Sequence, residues 1–250
     1  MSDTDSILGL GISPGVAPAA YSAPTPYQPP ASSGGYGGQS GGYQPNKLNM
    51  IKEEDPTYPT PPIFAVSFYL NKGVPPEIID RVKAIMGGMA KTKFSIRYKI
   101  TGDPAIDIPI YETVNGLHLT YTTAELILPW KDFAADMLPQ SPHAVRTGYG
   151  AKRTTAALID NWIDTKPAIR SFKSAETHLV LGKTGSSPCV AILTWSKDGS
   201  ERLESLTDET KFNKHVYRIA RMYNIPILNL RDSEAINRLE RRLAEFPVVK

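Results

Sequence analysis

The stretch from Pro188 to Lys250 constrains this chain more than any other. Cys189 to Trp195 is a near-continuous apolar run suited to a strand buried on both faces, and Lys197-Asp198-Gly199 turns the chain after it. From about Thr207 to Tyr223 the period becomes helical. Phe212, Val216, Ile219, Ala220 and Tyr223 form one stripe, Thr207 is placed to cap the start, and Asp208 and Glu209 suit the positive end. A second strand, Ile225 to Leu230, and a closing helix follow. Asp232 or Ser233 caps that helix, Ile236, Leu239, Leu243 and Phe246 face inward, and Arg238, Arg241 and Arg242 face solvent. Strands joined through a helix run parallel, and a parallel sheet needs helices over its faces. The expected fold class is therefore α/β, a Rossmann-like open, mainly parallel sheet flanked by helices.

Upstream segments extend the same alternation. Ile63 to Leu70 reads as a buried strand, Pro75-Pro76 opens a helix carrying Ile78, Ile79, Val82, Ile85, Met86 and Met89, and Phe94 to Ile100 is a second strand. Pro104 and Pro109 break the period between Thr101 and Leu119, which leaves room for a short helix starting near Pro109. Ala124 to Leu128 is a third strand, ended by Pro129-Trp130. Turn signals at Pro139, Pro142, Gly148 and Gly150 surround a short helix around Thr154 to Trp162, and a longer helix from Ser171 to Leu181 runs to Gly182.

Residues 1–62 hold eleven of the 22 prolines and nine of the 19 glycines. Such a tract cannot bury enough surface to offset its chain entropy, so it is expected to be a disordered arm, with residues 63–250 as one domain. The arm is a flexible leader or an adhesive segment whose tyrosines (Tyr21, Tyr27, Tyr36, Tyr43, Tyr58) contact a partner or stack on single-stranded bases. The net charge of +3 divides into −3 over residues 1–60 and +6 over the rest. That balance permits phosphate-bearing ligands or nucleic acid, but it is no dense basic footprint.

Cys189, the single cysteine, has no partner within the chain, which fits a reducing, cytoplasmic setting. No apolar run approaches the roughly 18 residues of a membrane span, and no signal peptide is apparent, so no membrane partner is expected. Gly182-Lys183-Thr184 lacks the upstream glycine of a phosphate loop, and Gly185 to Pro188 follows where a helix should begin. His118, His143, His178 and His215 lie far apart, as surface or locally bonded side chains. No nucleophile elbow exists, and a cysteine inside a strand is inert packing. No catalytic residue, metal ligand or cofactor is assigned, and catalysis ranks below binding.

What remains is position. Ligands of open parallel sheets sit beyond the carboxyl ends of the strands, close to helix N-termini. Those ends are Ser67 to Asn71, Thr101 to Asp107, Pro129 to Asp132, Trp195 to Gly199 with Thr207 and Asp208, and Asn229 to Asp232.

The order of segments resembles the Rossmann-like superfamily, often called SLOG, that includes the DNA-processing protein DprA and the LOG-type phosphoribohydrolases. It is most similar to small members encoded by phages and mobile elements. The residues carrying this resemblance span about 63 to 232. They are Pro76-Glu-Ile-Ile-Asp-Arg-Val, Ile127-Leu-Pro-Trp-Lys-Asp-Phe133, Val180-Leu-Gly182, Val190-Ala-Ile-Leu-Thr-Trp-Ser-Lys-Asp-Gly199, and Tyr217-Arg-Ile-Ala-Arg-Met-Tyr-Asn-Ile-Pro-Ile-Leu-Asn-Leu230. The resemblance implies a nucleotide-derived ligand, in host cytoplasm or a virion. Two glycine-rich turns of that family are degenerate here. Ser-Gly-Gly-Ala-x-Gly-Ala-Asp stands as Ile100-Thr-Gly-Asp-Pro-Ala-Ile-Asp107, and Gly-Gly-Thr as Ser205-Leu-Thr-Asp208. Glycines in such turns let the backbone approach phosphate oxygens. The Pro-Gly-Gly-x-Gly-Thr motif of the phosphoribohydrolases is missing.

Three readings follow. The first is a non-catalytic SLOG-like domain that binds a nucleotide-derived ligand or is degenerate for it, with Gly102, Asp107, Trp130, Trp195, Asp198 and Thr207 as its candidate site. The second is a structural or assembly protein of virion type, in which the arm docks on a protein partner or a second copy. The third is single-stranded nucleic-acid binding through the tyrosines with Arg146, Lys152 and Arg153.

Overall fold

The computed structural model describes residues 64–119, 123–139 and 141–246, so the expectations for residues 1–62 lie outside the described residues. In chain order the elements are β1 (Ala65–Tyr69), α1 (Pro76–Met89), β2 (Ser95–Lys99), α2 (Pro104–Gly116), β3 (Ala124–Leu128), β4 (Ala144–Arg146), α3 (Tyr149–Leu158), α4 (Pro167–Leu181), β5 (Ala191–Thr194), α5 (Lys214–Met222), β6 (Ile227–Asn229) and α6 (Ala235–Ala244). The six strands form one sheet in the order β4-β3-β2-β1-β5-β6, and every pairing is parallel. This is the α/β Rossmann-like layout that the alternating segments require.

Alternation along β1 builds the two cores. Val66, Phe68 and Leu70 join α1, α2 and α6 in one buried cluster, while Ala65 and Tyr69 join α4 and α5 in the other. The central strands are apolar on both faces because helices cover both. The chain adds β2, β3 and β4 on one side of β1, then returns through α3 and α4 to place β5 and β6 on the other. Strand order therefore reverses between β1 and β5, and their diverging connections leave a crevice beyond their carboxyl ends.

Several expectations need correction. The helix expected from Thr207 begins seven residues later, at Lys214, after two short 3-10 turns at Leu203–Ser205 and Lys211–Asn213. Thr207 does not cap it, because the Thr207 hydroxyl donates to Asp198 instead, 3.0 Å away. With the first turns gone from the helix, Phe212 and Tyr223 leave the stripe and are exposed, while Val216, Ile219 and Ala220 stay buried. The segment after β2 is a full helix from Pro104 rather than a short one from Pro109. Pro104 sits at its first position, where a missing N–H costs nothing, and Asp103 caps it through the Ala105 amide.

The helix expected over Thr154–Trp162 starts at Tyr149 and ends at Leu158, preceded by an edge strand, β4, too short to show a period. Arg238 and Arg242 are only half outward. Arg238 pairs with Glu201 and Asp232, and the Arg242 guanidinium donates to the Val190 carbonyl. His178 is fully buried, with Nε2 3.6 Å from Glu125, rather than superficial.

Candidate functional site

The loop leaving β2 is organised around one carboxylate. Asp107, on the first turn of α2 and fully buried, accepts from the Tyr98 hydroxyl at 2.6 Å, the Gly102 amide at 2.6 Å, the Thr101 amide at 3.0 Å and the Thr101 hydroxyl at 3.1 Å. Burial pushes this carboxyl up, and the bonds from Tyr98 and the two amides offset only part of that. Gly102 has φ of +83°, and a Cβ there would sit 2.9 Å from the Phe133 ring. Amides that converge in such a turn form an anion nest, and here the anion is the chain's own side chain.

Phe133 belongs to an aromatic triad with Trp130 and Phe172, ring centroids 4.7–5.4 Å apart and edge to face. The loop after β3 supplies Trp130 and Phe133, and the start of α4 supplies Phe172. Behind the triad lies a buried ionic group. Lys99 ends β2 with Nζ 3.6 Å from Glu176, which also accepts from the Tyr69 hydroxyl at 3.1 Å and from Lys173 at 2.9 Å. Burial lowers the Lys99 ammonium against the pull of Glu176. Burial also pushes Glu176 up, but Lys99 and Lys173 outweigh it and hold the carboxylate ionised. Each charge is spent on its neighbours, as a buried ion pair requires.

The third group sits at the reversal. A cavity of about 210 Å³ opens beyond β1 and β5, lined by Asn71, Trp195, Ser196, Phe212 and Asn213. Asn71 donates from Nδ2 to Oδ1 of Asn213 at 3.0 Å, while Nδ2 of Asn213 is buried without a hydrogen-bond partner. Beside it, Asp198 accepts from the Ser196, Thr207 and Thr210 hydroxyls and from the Ser200 amide, at 2.6–3.0 Å. Burial alone would raise this carboxyl, but the donors led by Thr210 and Ser196 hold it well below the usual range. At the mouth of β1, Pro75 and Pro76 remove two amides from the start of α1 and Glu77 places an acidic side chain in its first turn, where it complements the helix dipole.

The six residues expected at the site thus fall into two groups. Gly102, Asp107 and Trp130 come together through Phe133, and Trp195, Asp198 and Thr207 come together at the reversal. Lys173 links the groups, bonded to Glu176 on one side and to the carbonyl of Phe212 on the other. Asp107 faces into its own loop rather than outward, whereas Trp195 lines the cavity. The sequence reading did not single out Lys99, Glu176 and Asn213. A lysine closing an apolar strand and a glutamate on a largely inward-facing helix were visible signals. Asn213 was concealed inside the helix expected from Thr207.

Three larger cavities lie at the margins of the sheet, of about 540 Å³ beside β3 and β4, about 420 Å³ beside α5 and β6, and about 360 Å³ beside Cys189 and α6. None of them lies beyond the carboxyl ends of β1 and β5 at the reversal of strand order, the position that open parallel sheets use for ligands. No family model matches the chain, and neither a curated protein nor a solved structure matches it.

Proposed function

We propose that the chain is a non-catalytic, SLOG-like binding domain that receives a nucleotide-derived ligand in the crevice between β1 and β5. The observation that carries this is the cavity at the strand-order reversal, lined by Trp195 together with the side chains of Asn71 and Asn213. An aromatic side chain with a few polar groups around a concave site is the kind of lining that holds a flat heterocycle. Absence of chemistry is supported by the state of the reactive groups. Cys189 is buried and its thiol is pushed up to about 11, mainly by that burial, so it is no nucleophile at neutral pH. Asp107, Asp198 and Glu176 each accept from several internal partners, and Lys99 is buried against Glu176.

Calorimetric titration of the full chain with nucleotides, cyclic nucleotides and ADP-ribose derivatives tests the proposal. Saturable heat that disappears in the Trp195→Ala chain is expected. No heat from any of them, with the chain folded by circular dichroism, refutes it.

A second reading, assembly, has its own observation. Ile163 is 87% exposed in the turn between α3 and α4, and Ile169 is 47% exposed nearby in α4. A contact between copies would cover these two side chains. Light scattering of the full chain, of Ile163→Ser and of a chain starting at Ile63 separates the readings. Assembly predicts a mass above that of the monomer, reduced by the substitution or by loss of the arm.

A further inference from the structure

The cavity of about 540 Å³ beside β3 and β4 stands apart from the crevice. We infer that it is a second, independent ligand site, and that it takes a small molecule with an apolar body and a single carboxylate.

The sheet itself builds the hollow. In the parallel pair β3–β4, Leu126 stands opposite Ala144 and Leu128 opposite Arg146, so the face of β3 that joins the core continues onto Ala144 and Arg146. Both of these are exposed, and the small Ala144 side chain leaves room over the margin of the sheet. Ile100, Leu126 and Tyr111, all buried, form the floor, and Leu128, Phe133 and Leu138 form half-buried walls. Polar contacts tie the loop after β3 to α2 across one side. The Tyr111 hydroxyl donates to the Pro139 carbonyl at 2.6 Å, and the Ser141 hydroxyl donates to Oδ1 of Asn115 at 2.5 Å. On the other side, Trp130 and Phe172 hold the Phe133 ring edge to face. The walls are thus fixed by contacts of their own, and the volume lies within the range of about 300–1,000 Å³ that small-molecule sites occupy.

Charge at the rim selects the ligand. Lys131, Asp132 and Arg146 line the same cavity and are exposed. Among the described residues, none of their side chains makes an ion pair or a hydrogen bond. Arg97, Arg238 and Lys173, by contrast, are each paired with a carboxylate of the chain. Two cations and one anion leave a single positive charge over an apolar floor. That pattern complements one anionic head on an apolar body, and a guanidinium fork matches a carboxylate through two parallel hydrogen bonds. The position, beyond the carboxyl ends of β2, β3 and β4, is the end of a parallel sheet where ligands gather.

The experiment is calorimetry on the full chain with octanoate and 2-naphthoate, one aliphatic and one aromatic carboxylate, beside octanol and octylamine. One carboxylate or both should bind saturably, and octanol and octylamine should each be weaker than octanoate by about fivefold or more. A chain carrying Lys131→Ala and Arg146→Ala together should lose that advantage and bind octanol as before. Ala144→Trp, which fills the mouth from an exposed position, should abolish binding of every probe. If the Ala144→Trp chain is unfolded by circular dichroism, the double variant decides. No binding of either carboxylate overturns the inference. Equal binding of octanoate, octanol and octylamine overturns it as well, since the rim then selects nothing. Undiminished octanoate binding by the double variant shows that these cations only guard the strand edge, and binding that survives in a folded Ala144→Trp chain puts the ligand elsewhere; either result refutes the assignment.

Discussion

Replacing Asp107 by alanine tests whether a single carboxylate holds the loop after β2 in place. Tyr98 is fully buried, so its hydroxyl, left without the acceptor now 2.6 Å away, loses about 1–3 kcal/mol. The Thr101 and Gly102 amides lie in an accessible loop and can rehydrate, so together they add about 1 kcal/mol. The sum is about 2–4 kcal/mol, which lowers the melting temperature by roughly 5–12 °C for a domain of this size. Guanidinium denaturation of wild type, Asp107→Ala, Tyr98→Phe and the double variant measures both the loss and the coupling. Because the Tyr98→Phe chain has no hydroxyl to orphan, the second substitution should cost less once Asp107 is gone, with a coupling of about 1–2 kcal/mol. A loss below about 0.5 kcal/mol, or costs that simply add, would falsify the assignment of Asp107 as the anion of this loop.

Three further outcomes are expected. His215 is lowered from 6.5 to about 4, chiefly by burial, so its folded value lies below its unfolded one. Protons then favour the unfolded chain, and about 3 kcal/mol present above pH 6.5 should fade by pH 4. A His215→Gln chain, compared by denaturant midpoints across that range, should lack most of this slope. Gly102→Ala, which adds a Cβ against the Phe133 ring at positive φ, should destabilise by about 1–2 kcal/mol and alter the fluorescence of Trp130, which packs on that ring. Cys189 should resist an aromatic disulfide reagent at pH 8 until denaturant unfolds the chain, and rapid labelling of the native protein would contradict its burial.

The architecture was legible because periodicity reports burial. β1, α1, β3 and α6 fall within a few residues of their expected bounds, since each buries a continuous face. Where the sequence misled, local rules lost to tertiary ones. Thr207 followed by two acidic residues is a good helix start, yet the Asp198 carboxylate recruits both Thr207 and Thr210 and holds that stretch in turns. Pro109 suggested a break, yet α2 runs through it, anchored upstream by the Asp103 cap and Asp107. β4 was invisible because three residues carry no period, and its place follows from pairing with β3. Trp195 and Asp198 could be picked out because they follow a plain strand. Lys99 with Glu176, 77 positions apart, could not be paired from sequence at all.

A loop that carries its own anion keeps its shape without borrowing one from solution. The connections after β2 and β5 are braced by Asp107 and Asp198, so their shape does not wait for a ligand to set it. The Thr101, Gly102 and Ser200 amides are already committed to carboxylates of the chain itself. The walls of the crevice that these two turns help to build are therefore already in position before anything enters it.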